Sequence, residues 1–388
     1  MEFLLKKIYT VLSICAPFLS FYYIGTVPLI SILMVIWIIF KFWNILLEAE
    51  LRKPNIDLGL FILLLLIIIN SAFMTLNNEI DLKYNSLINY IFFLLVTALC
   101  GRSNYEPILG YKLWKLFAVV SSIFILVQMT VFWTTGVIIS GYLPFLDTIY
   151  TDDTVKMQGW DSTRYRPSSF FAEPSHYGTY VGAFLLLYLF QGKNNKIIIS
   201  LLVLGIIVSV SSAGFTILFF DIILFALIKV RIRKHYNKVI PVSIIVMILC
   251  YIAINMGITN RILDHILLSD MNDSGYPSGI YQRINGFLEY TPNMNWIITN
   301  PFGQGMFELP DDNGLFFCGL MQYYLFFGII GLSTLLMIMI SWFVVANYIQ
   351  KIYLLLILLL SCFGNPLFGS EPFGWYSKLY YANDRLEK

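Results

Sequence analysis

Two arginines, a glutamate and a histidine fall within thirteen residues, in the run Arg164-Tyr-Arg166-Pro-Ser-Ser-Phe-Phe-Ala-Glu173-Pro174-Ser175-His176-Tyr-Gly178. Pro174 suits the first position of a helix, where its missing N–H costs no hydrogen bond. Glu173 then stands at the cap, and His176, three residues on, lies on the same side of the helix start. The first turn of a helix offers unpaired backbone N–H groups to an anion. Arg164 and Arg166 lie just upstream, and each carries the planar fork that grips a phosphate through two N–H groups. This arrangement suits an anionic headgroup, most simply a phosphate, with Glu173 or His176 in reach as proton acceptor. A plainer reading gives Glu173 only a capping role and His176 only an interfacial one. The density of ionisable groups where an apolar segment begins favours the first.

A second set follows downstream: Arg283-Ile-Asn-Gly286, Asn300-Pro-Phe-Gly303-Gln-Gly305 and Asp311-Asp312-Asn313-Gly314. Gly303 and Gly305 permit tight backbone turns beside a ligand. The carboxylate pair at a helix start could act as base, bind a cation, or only cap the helix. Beyond it, residues 314–331 read as a short apolar helix, a glycine hinge at Gly328 and then a full span. Asp221 stands alone in an apolar run, where a carboxylate is costly and commonly functional. Gly178 and Gly182 form a G-x-x-x-G pair that suits close helix packing. His265 is a lone histidine best explained structurally, and Asp152-Asp153 suits a solvated face. The five cysteines form no C-x-x-C and lie in or beside apolar runs, so neither a disulfide framework nor a thiolate metal site is expected.

The elements that must position these groups follow from composition. Of 388 residues, 58% are hydrophobic and only 12% charged, about half the charge of a soluble domain. Mean hydropathy is +0.75. Soluble classes and disorder are excluded, and a net charge of +2 without a compact basic patch gives no sign of nucleic acid. The expectation is an all-α polytopic membrane protein, one transmembrane domain over 1–388. Crossing a bilayer takes about 20 mostly apolar residues. Eleven runs qualify, at about 8–24, 26–47, 56–75, 85–100, 113–135, 174–190, 196–213, 215–230, 239–256, 329–349 and 352–370; a crossing by 314–328 would make twelve. The first is expected to be an uncleaved span rather than a removed signal peptide. With the N-terminus inside, sixteen of the 25 Lys and Arg fall on cytoplasmic segments. Lys83, Lys156, Arg164, Arg166, Arg261 and Arg283 lie opposite and the remaining three, Lys378, Arg385 and Lys388, on the tail, a split that fits the positive-inside rule. The basic turn Lys229–Lys238 is the sharpest inside signal. Two long outer loops, 136–173 and 257–313, then hold most of the polar chemistry, far beyond the usual connection of about 4–6 residues.

The run 166–177, Arg-Pro-Ser-Ser-Phe-Phe-Ala-Glu-Pro-Ser-His-Tyr, resembles a signature of the bacterial O-antigen polymerases, the Wzy-type family. The order Arg283, Asn-Pro-Phe-Gly-Gln-Gly (300–305), Asp-Asn-Gly (312–314) and Gly-Ile-Ile-Gly (328–331) is also similar to it. The family's arginine–ten-residues–glycine element is not present as such. The resemblance implies a multi-pass protein of the bacterial inner membrane. It implies a glycosyltransferase that moves a growing glycan from undecaprenyl pyrophosphate onto the next lipid-linked repeat unit at the periplasmic face. Its partners would be lipid-linked oligosaccharides, membrane lipid, a polysaccharide chain-length regulator and a flippase; no nucleotide sugar, cofactor or metal is implied. Arg164, Arg166, Arg283 and Asn313 would bind substrate, the arginines meeting the pyrophosphate. Glu173, His176 or Asp312 would take the acceptor's proton. An O-antigen ligase, with the same donor and another acceptor, and a non-enzymatic flippase for the same lipid-linked sugar are the competing expectations.

Overall fold

The computed structural model describes residues 2–48, 57–77, 84–142, 146–148, 165–190, 195–229, 301–306 and 318–363. Helix accounts for 81% of it. The described helices are α1 (Glu2–Leu19), α2 (Leu29–Glu48), α3 (Leu58–Asn77), α4 (Tyr84–Asn104), α5 (Pro107–Thr135), α6 (Pro174–Phe190), α7 (Lys196–Val208), α8 (Ser212–Lys229), α9 (Gly319–Val345) and α10 (Tyr348–Phe363). Three are long and apolar enough to cross a membrane: Leu58–Thr75, Pro107–Thr135 and Gly319–Val345. Ten of the expected runs fall wholly or partly on described residues, and each overlaps a helix there. The run 239–256 lies outside the described residues, so the count of eleven is not settled by the fold.

Several boundaries differ from expectation; α5 begins at Pro107 and not near 113, and α9 ends at Val345 and not near 349. The first helix stops at Leu19, and Tyr22–Ile24 is a strand, β1, instead of the end of a span. It pairs antiparallel with β2 (Val27–Pro28) and with β3 (Asp147–Thr148), in the order β2-β1-β3. The fold is therefore not purely helical. An aromatic and β-branched triplet suits a strand, and this one ties the 136–173 connection to the turn between α1 and α2. The expected span 196–213 is also shorter: α7 ends at Val208, and Ser209–Ser211 turn the chain into α8.

The long helix α5 shows how apolar sequence is divided. Gly110, Trp114, Ala118, Ser121, Ser122, Ile125, Gln128 and Met129 are buried, a stripe at helical period. Leu116, Val120, Ile123 and Val127 on the other faces are exposed, as lipid-facing positions would be. In contrast, α6 is buried almost all round and is the central helix, packed on α5, α7, α8 and α10. Its closest neighbour is α8. A side chain on Gly178 would stand 3.0 Å from the Gly214 nitrogen and closer still to its Cα, and one on Gly182 would strike Ile217. Its polar tips are paired inside the bundle: the Tyr177 and Ser122 hydroxyls lie 2.8 Å apart, and Tyr180 donates to Ile14 O at 3.3 Å.

The expected hinge at Gly328 is a break inside α9, with φ +66° and ψ −170°. The segment Pro301–Met306 fills it. Ile330 N–H would donate to Phe326 O in an unbroken helix but donates to Pro301 O at 3.1 Å. Phe326 O instead accepts Gly305 N–H at 2.8 Å and the Asn70 side-chain amide at 3.1 Å. Gln304 N–H caps Leu325 O at 2.9 Å. The backbones touch at Gly303 (φ +77°) and Gly328, where a Cβ on either would enter the other's peptide. Only glycine tolerates both the contact and the backbone sign. Residues 319–327 thus continue into 329–345 through a kink.

Candidate functional site

The start of α6 gathers Arg166, Glu173 and His176, each held by a different element. Glu173 O accepts the backbone N–H groups of His176 (3.1 Å) and Tyr177 (3.3 Å), so this residue begins the helix as expected. Its carboxylate oxygen Oε2 accepts the Ser175 hydroxyl at 3.0 Å. The His176 ring stacks on Phe21, centroids 4.9 Å apart and planes 24° apart. Phe21 immediately precedes β1, so the small sheet sits against the helix start. Tyr142 donates to Ala172 O at 3.0 Å. Burial, the Glu173 charge and Tyr22 together push its phenol up to about 12.

Arg166 lies seven residues before Glu173 in the same chain segment. Its Nε donates to Val210 O at 3.2 Å, which ties the segment to the α7–α8 turn. Val210 has φ +48°, and Ser169 has φ +57°. A branched residue in the left-handed region is rare and costs about 1–3 kcal/mol, so the surrounding contacts over-determine this geometry.

Those contacts are identifiable. Gln128, buried in α5, donates from Nε2 to Ile139 O and accepts Ser169 N–H at Oε1, both at 2.9 Å. One amide thereby staples the outgoing and returning arms of the 136–173 connection. Tyr165 adds a bond to Ile139 O at 3.3 Å, and burial followed by Tyr142 pushes its phenol up to about 12. The two phenylalanines of the motif point apart. Phe170 stacks on Phe124 of α5 at 4.7 Å, while Phe171 inserts between Phe18 of α1 and Tyr180 of α6. Phe-Phe before Ala-Glu-Pro is thus a pair of wedges that fixes where Glu173 emerges.

Of the residues expected to act, Arg166, Glu173 and His176 are brought to one end of the bundle. Arg164, Arg283, Asp312 and Asn313 lie outside the described residues. Gln128, Tyr142 and Phe21 were not foreseen. Gln128 had a legible signal, a lone amide in the apolar run Ile125-Leu-Val-Gln-Met; Tyr142 and Phe21 had none. Asp221 is fully buried between α6 and α8, facing Gly182, and neither carboxyl oxygen has a hydrogen-bond partner among the described residues. Among the described residues no hydrogen bond links it to the start of α6. Among the described residues no three His, Cys, Asp or Glu side chains come together to hold a metal. Cys15, Cys100 and Cys318 form no disulfide among the described residues.

Comparison with protein-family models, with curated proteins and with solved structures finds no match. The geometry itself offers a guanidinium, a carboxylate and an imidazole on three residues of one pinned segment, beside a helix start whose first residue is proline. Such a set suits an anionic group and a proton acceptor together.

Proposed function

We propose that this chain is a polysaccharide repeat-unit polymerase of the bacterial inner membrane. In this reading it transfers a growing glycan from undecaprenyl pyrophosphate to the next lipid-linked repeat unit at the periplasmic face. The observation that carries the reading is the joint placement of Arg166, Glu173 and His176 at the start of α6. The resemblance of 166–177 and of the 283–331 motifs supports it from the sequence. In the expected eleven-span arrangement, with 136–173 and 257–313 outside and Lys229–Lys238 inside, that helix start would face the outer surface.

The chemistry asks for few parts. The acceptor hydroxyl attacks the anomeric carbon of the donor, and the bond from that carbon to the pyrophosphate oxygen breaks. Undecaprenyl pyrophosphate leaves with the electron pair, and the acceptor's proton passes to a base. Arg166, with Arg164 and Arg283, stabilises the departing negative charge. Glu173 takes the proton, with Asp312 as the other carboxylate; His176 is the third candidate and is oriented by Phe21. Apolar exposed faces such as that of α5 suit the polyprenyl tails.

The broken α9 is the one observation that favours a second reading, a flippase, because discontinuous helices line substrate paths in transporters. A deletion strain separates the readings. Single repeat units capped on lipopolysaccharide are expected for a polymerase. Naked core with polymer left on the lipid carrier would mean a ligase, and single lipid-linked units trapped inside would mean a flippase. Topology is tested separately: a cysteine probe at 234 should react only from the cytoplasmic side.

A further inference from the structure

Lysines gather at the end of the bundle away from the start of α6: Lys6 in α1, Lys41 in α2, Lys112 and Lys115 in α5, Lys196 in α7 and Lys351 in α10. Contacts tie these ends together. The N–H of Glu106, one residue before α5, donates to Thr10 Oγ1 of α1 at 2.8 Å. Phe190, the last residue of α6, meets Tyr348, the first of α10, with ring centroids 6.1 Å apart. One corner of this end lies between α5, the end of α6 and the start of α7. The Lys115 ammonium stands 5.6 Å from the centroid of the buried Tyr188 ring, within cation–π reach. The Tyr188 hydroxyl accepts Asn195 N–H at 3.0 Å, and Lys196 follows as the first residue of α7. A Cβ on Gly205 of α7 would stand 3.0 Å from Ser122 Cβ of α5. Both helices start at this end. Lys196 is nine residues before Gly205, and Lys115 and Lys112 are seven and ten before Ser122, so all three stand at one level of the bundle.

Lys6 pairs with Glu2 at 3.3 Å, but among the described residues no carboxylate pairs with Lys112, Lys115 or Lys196. Glu106, the acid nearest to Lys112 in the sequence, is buried at Oε2 without a hydrogen-bond partner there. Lys112 and Lys196 are exposed and Lys115 is half-buried. An apolar strip starts beside them. Leu116, Val120, Ile123 and Val127 follow Lys112 at steps of three or four residues along α5 and are exposed, as are Ile197 and Leu204 of α7. We propose that this corner binds an anionic phospholipid, its phosphate on Lys112, Lys115 and Lys196 and its acyl chains along the exposed strip of α5 and α7. Lysine stems lie on apolar surface while their ammonium groups reach headgroup level, and basic corners between membrane helices take anionic headgroups. A soluble anion would use the lysines and leave the strip bare. A zwitterionic lipid brings its own cation to three lysines that have no carboxylate between them. The inference does not depend on glycosyl transfer.

The test is native mass spectrometry of the purified full chain in detergent, titrated with phosphatidylglycerol or with phosphatidylcholine of the same acyl chains. The expected result is phosphatidylglycerol retained at concentrations where phosphatidylcholine is not. Each of Lys112→Gln, Lys115→Gln and Lys196→Gln should weaken that retention by about fivefold. Lys41→Gln, on α2 and packed against α1, should leave it unchanged. Equal retention of the two lipids by the unaltered chain would overturn the proposal, and that comparison needs no variant to fold. An equal loss in Lys41→Gln would overturn it as well, because the charge of the whole end, and not this corner, would then hold the lipid. Displacement of the lipid by glycerol phosphate at matching concentration would make this a site for soluble phosphate and overturn it too.

Discussion

The start of α6 and the break in α9 are both places where irregular backbone is packed inside a helical bundle, and they are built from opposite materials. At the start of α6 the irregular segment carries Arg166, Glu173 and His176, and two non-glycine residues, Ser169 and Val210, are held in the left-handed region. At the α9 break the described residues carry no charge: glycines take the unusual dihedrals, peptide groups exchange partners, and the Asn70 amide adds a side-chain bond. Strain accepted by non-glycine residues beside ionisable groups marks a place where exact side-chain placement matters. Glycine and neutral amide at the break mark a place where shape and backbone satisfaction matter. The contrast is why the proposed transfer chemistry is put at the first region and not at the second.

The largest expected effect separates the two regions by activity. Under the proposed polymerase reading, Glu173→Gln keeps the shape and the Ser175 contact but removes the proposed base, and should slow glycan elongation by about 10²–10⁴-fold, seen as loss of long polymer with normal protein level in the membrane. Arg166→Lys should also lose most of the polymer, since lysine keeps the charge without the fork. Full-length polymer from both Glu173→Gln and Asp312→Asn would move the base to His176 and weaken the contrast.

Stability should respond most at the other region. Gly328→Ala drives a methyl group into the Pro301 carbonyl and demands a left-handed alanine. A loss of about 2–4 kcal/mol is expected, measured as a lower unfolding temperature in detergent. Ordinary stability in that variant would mean that the Gly303–Gly328 contact is not needed.

The staples give a smaller and more discriminating pair. Gln128→Leu removes bonds to both Ile139 and Ser169, and should cost about 2–3 kcal/mol while lowering elongation. Asn70→Leu removes one bond, to Phe326 O, and should cost about 1–2 kcal/mol. If Gln128→Leu lowered stability but left polymer length untouched, the staple would not be what positions Glu173 and Arg166.

The smallest effect is a gain. Val210→Gly relieves the left-handed valine and should stabilise the chain by about 1 kcal/mol, because the Arg166 bond is to the backbone carbonyl and survives the substitution. No gain, or a loss, would mean that packing of the valine side chain outweighs the strain.

Much of the architecture was legible along the chain. Runs of apolar residues the length of a bilayer marked ten of the observed helices, and Pro174 marked the start of α6 to the residue. The hinge at Gly328 was legible because glycine interrupts an otherwise continuous apolar run. The strand at Tyr22–Ile24 was not, because a three-residue apolar strand looks like the tail of a span until its partner at Asp147–Thr148 is known. The end of α7 was hidden for the same reason: Ser209–Ser211 are small and buried, and small polar residues also occur inside membrane helices.

What the sequence determined by itself was local. Hydropathy set the helices, proline set the start of α6, and the charged cluster of 164–176 was contiguous, so its members could be named before any fold was known. Only tertiary structure decided what Arg166 and Gln128 hold. Val210 is 44 residues from Arg166, and the two arms joined by Gln128 are 30 residues apart. Likewise Phe21 meets His176, and Pro301 meets Ile330, through packing that no local pattern encodes. Periodicity and composition act over a few turns of chain. The partner of a buried polar group is chosen by whichever distant segment the packed bundle brings within hydrogen-bond reach.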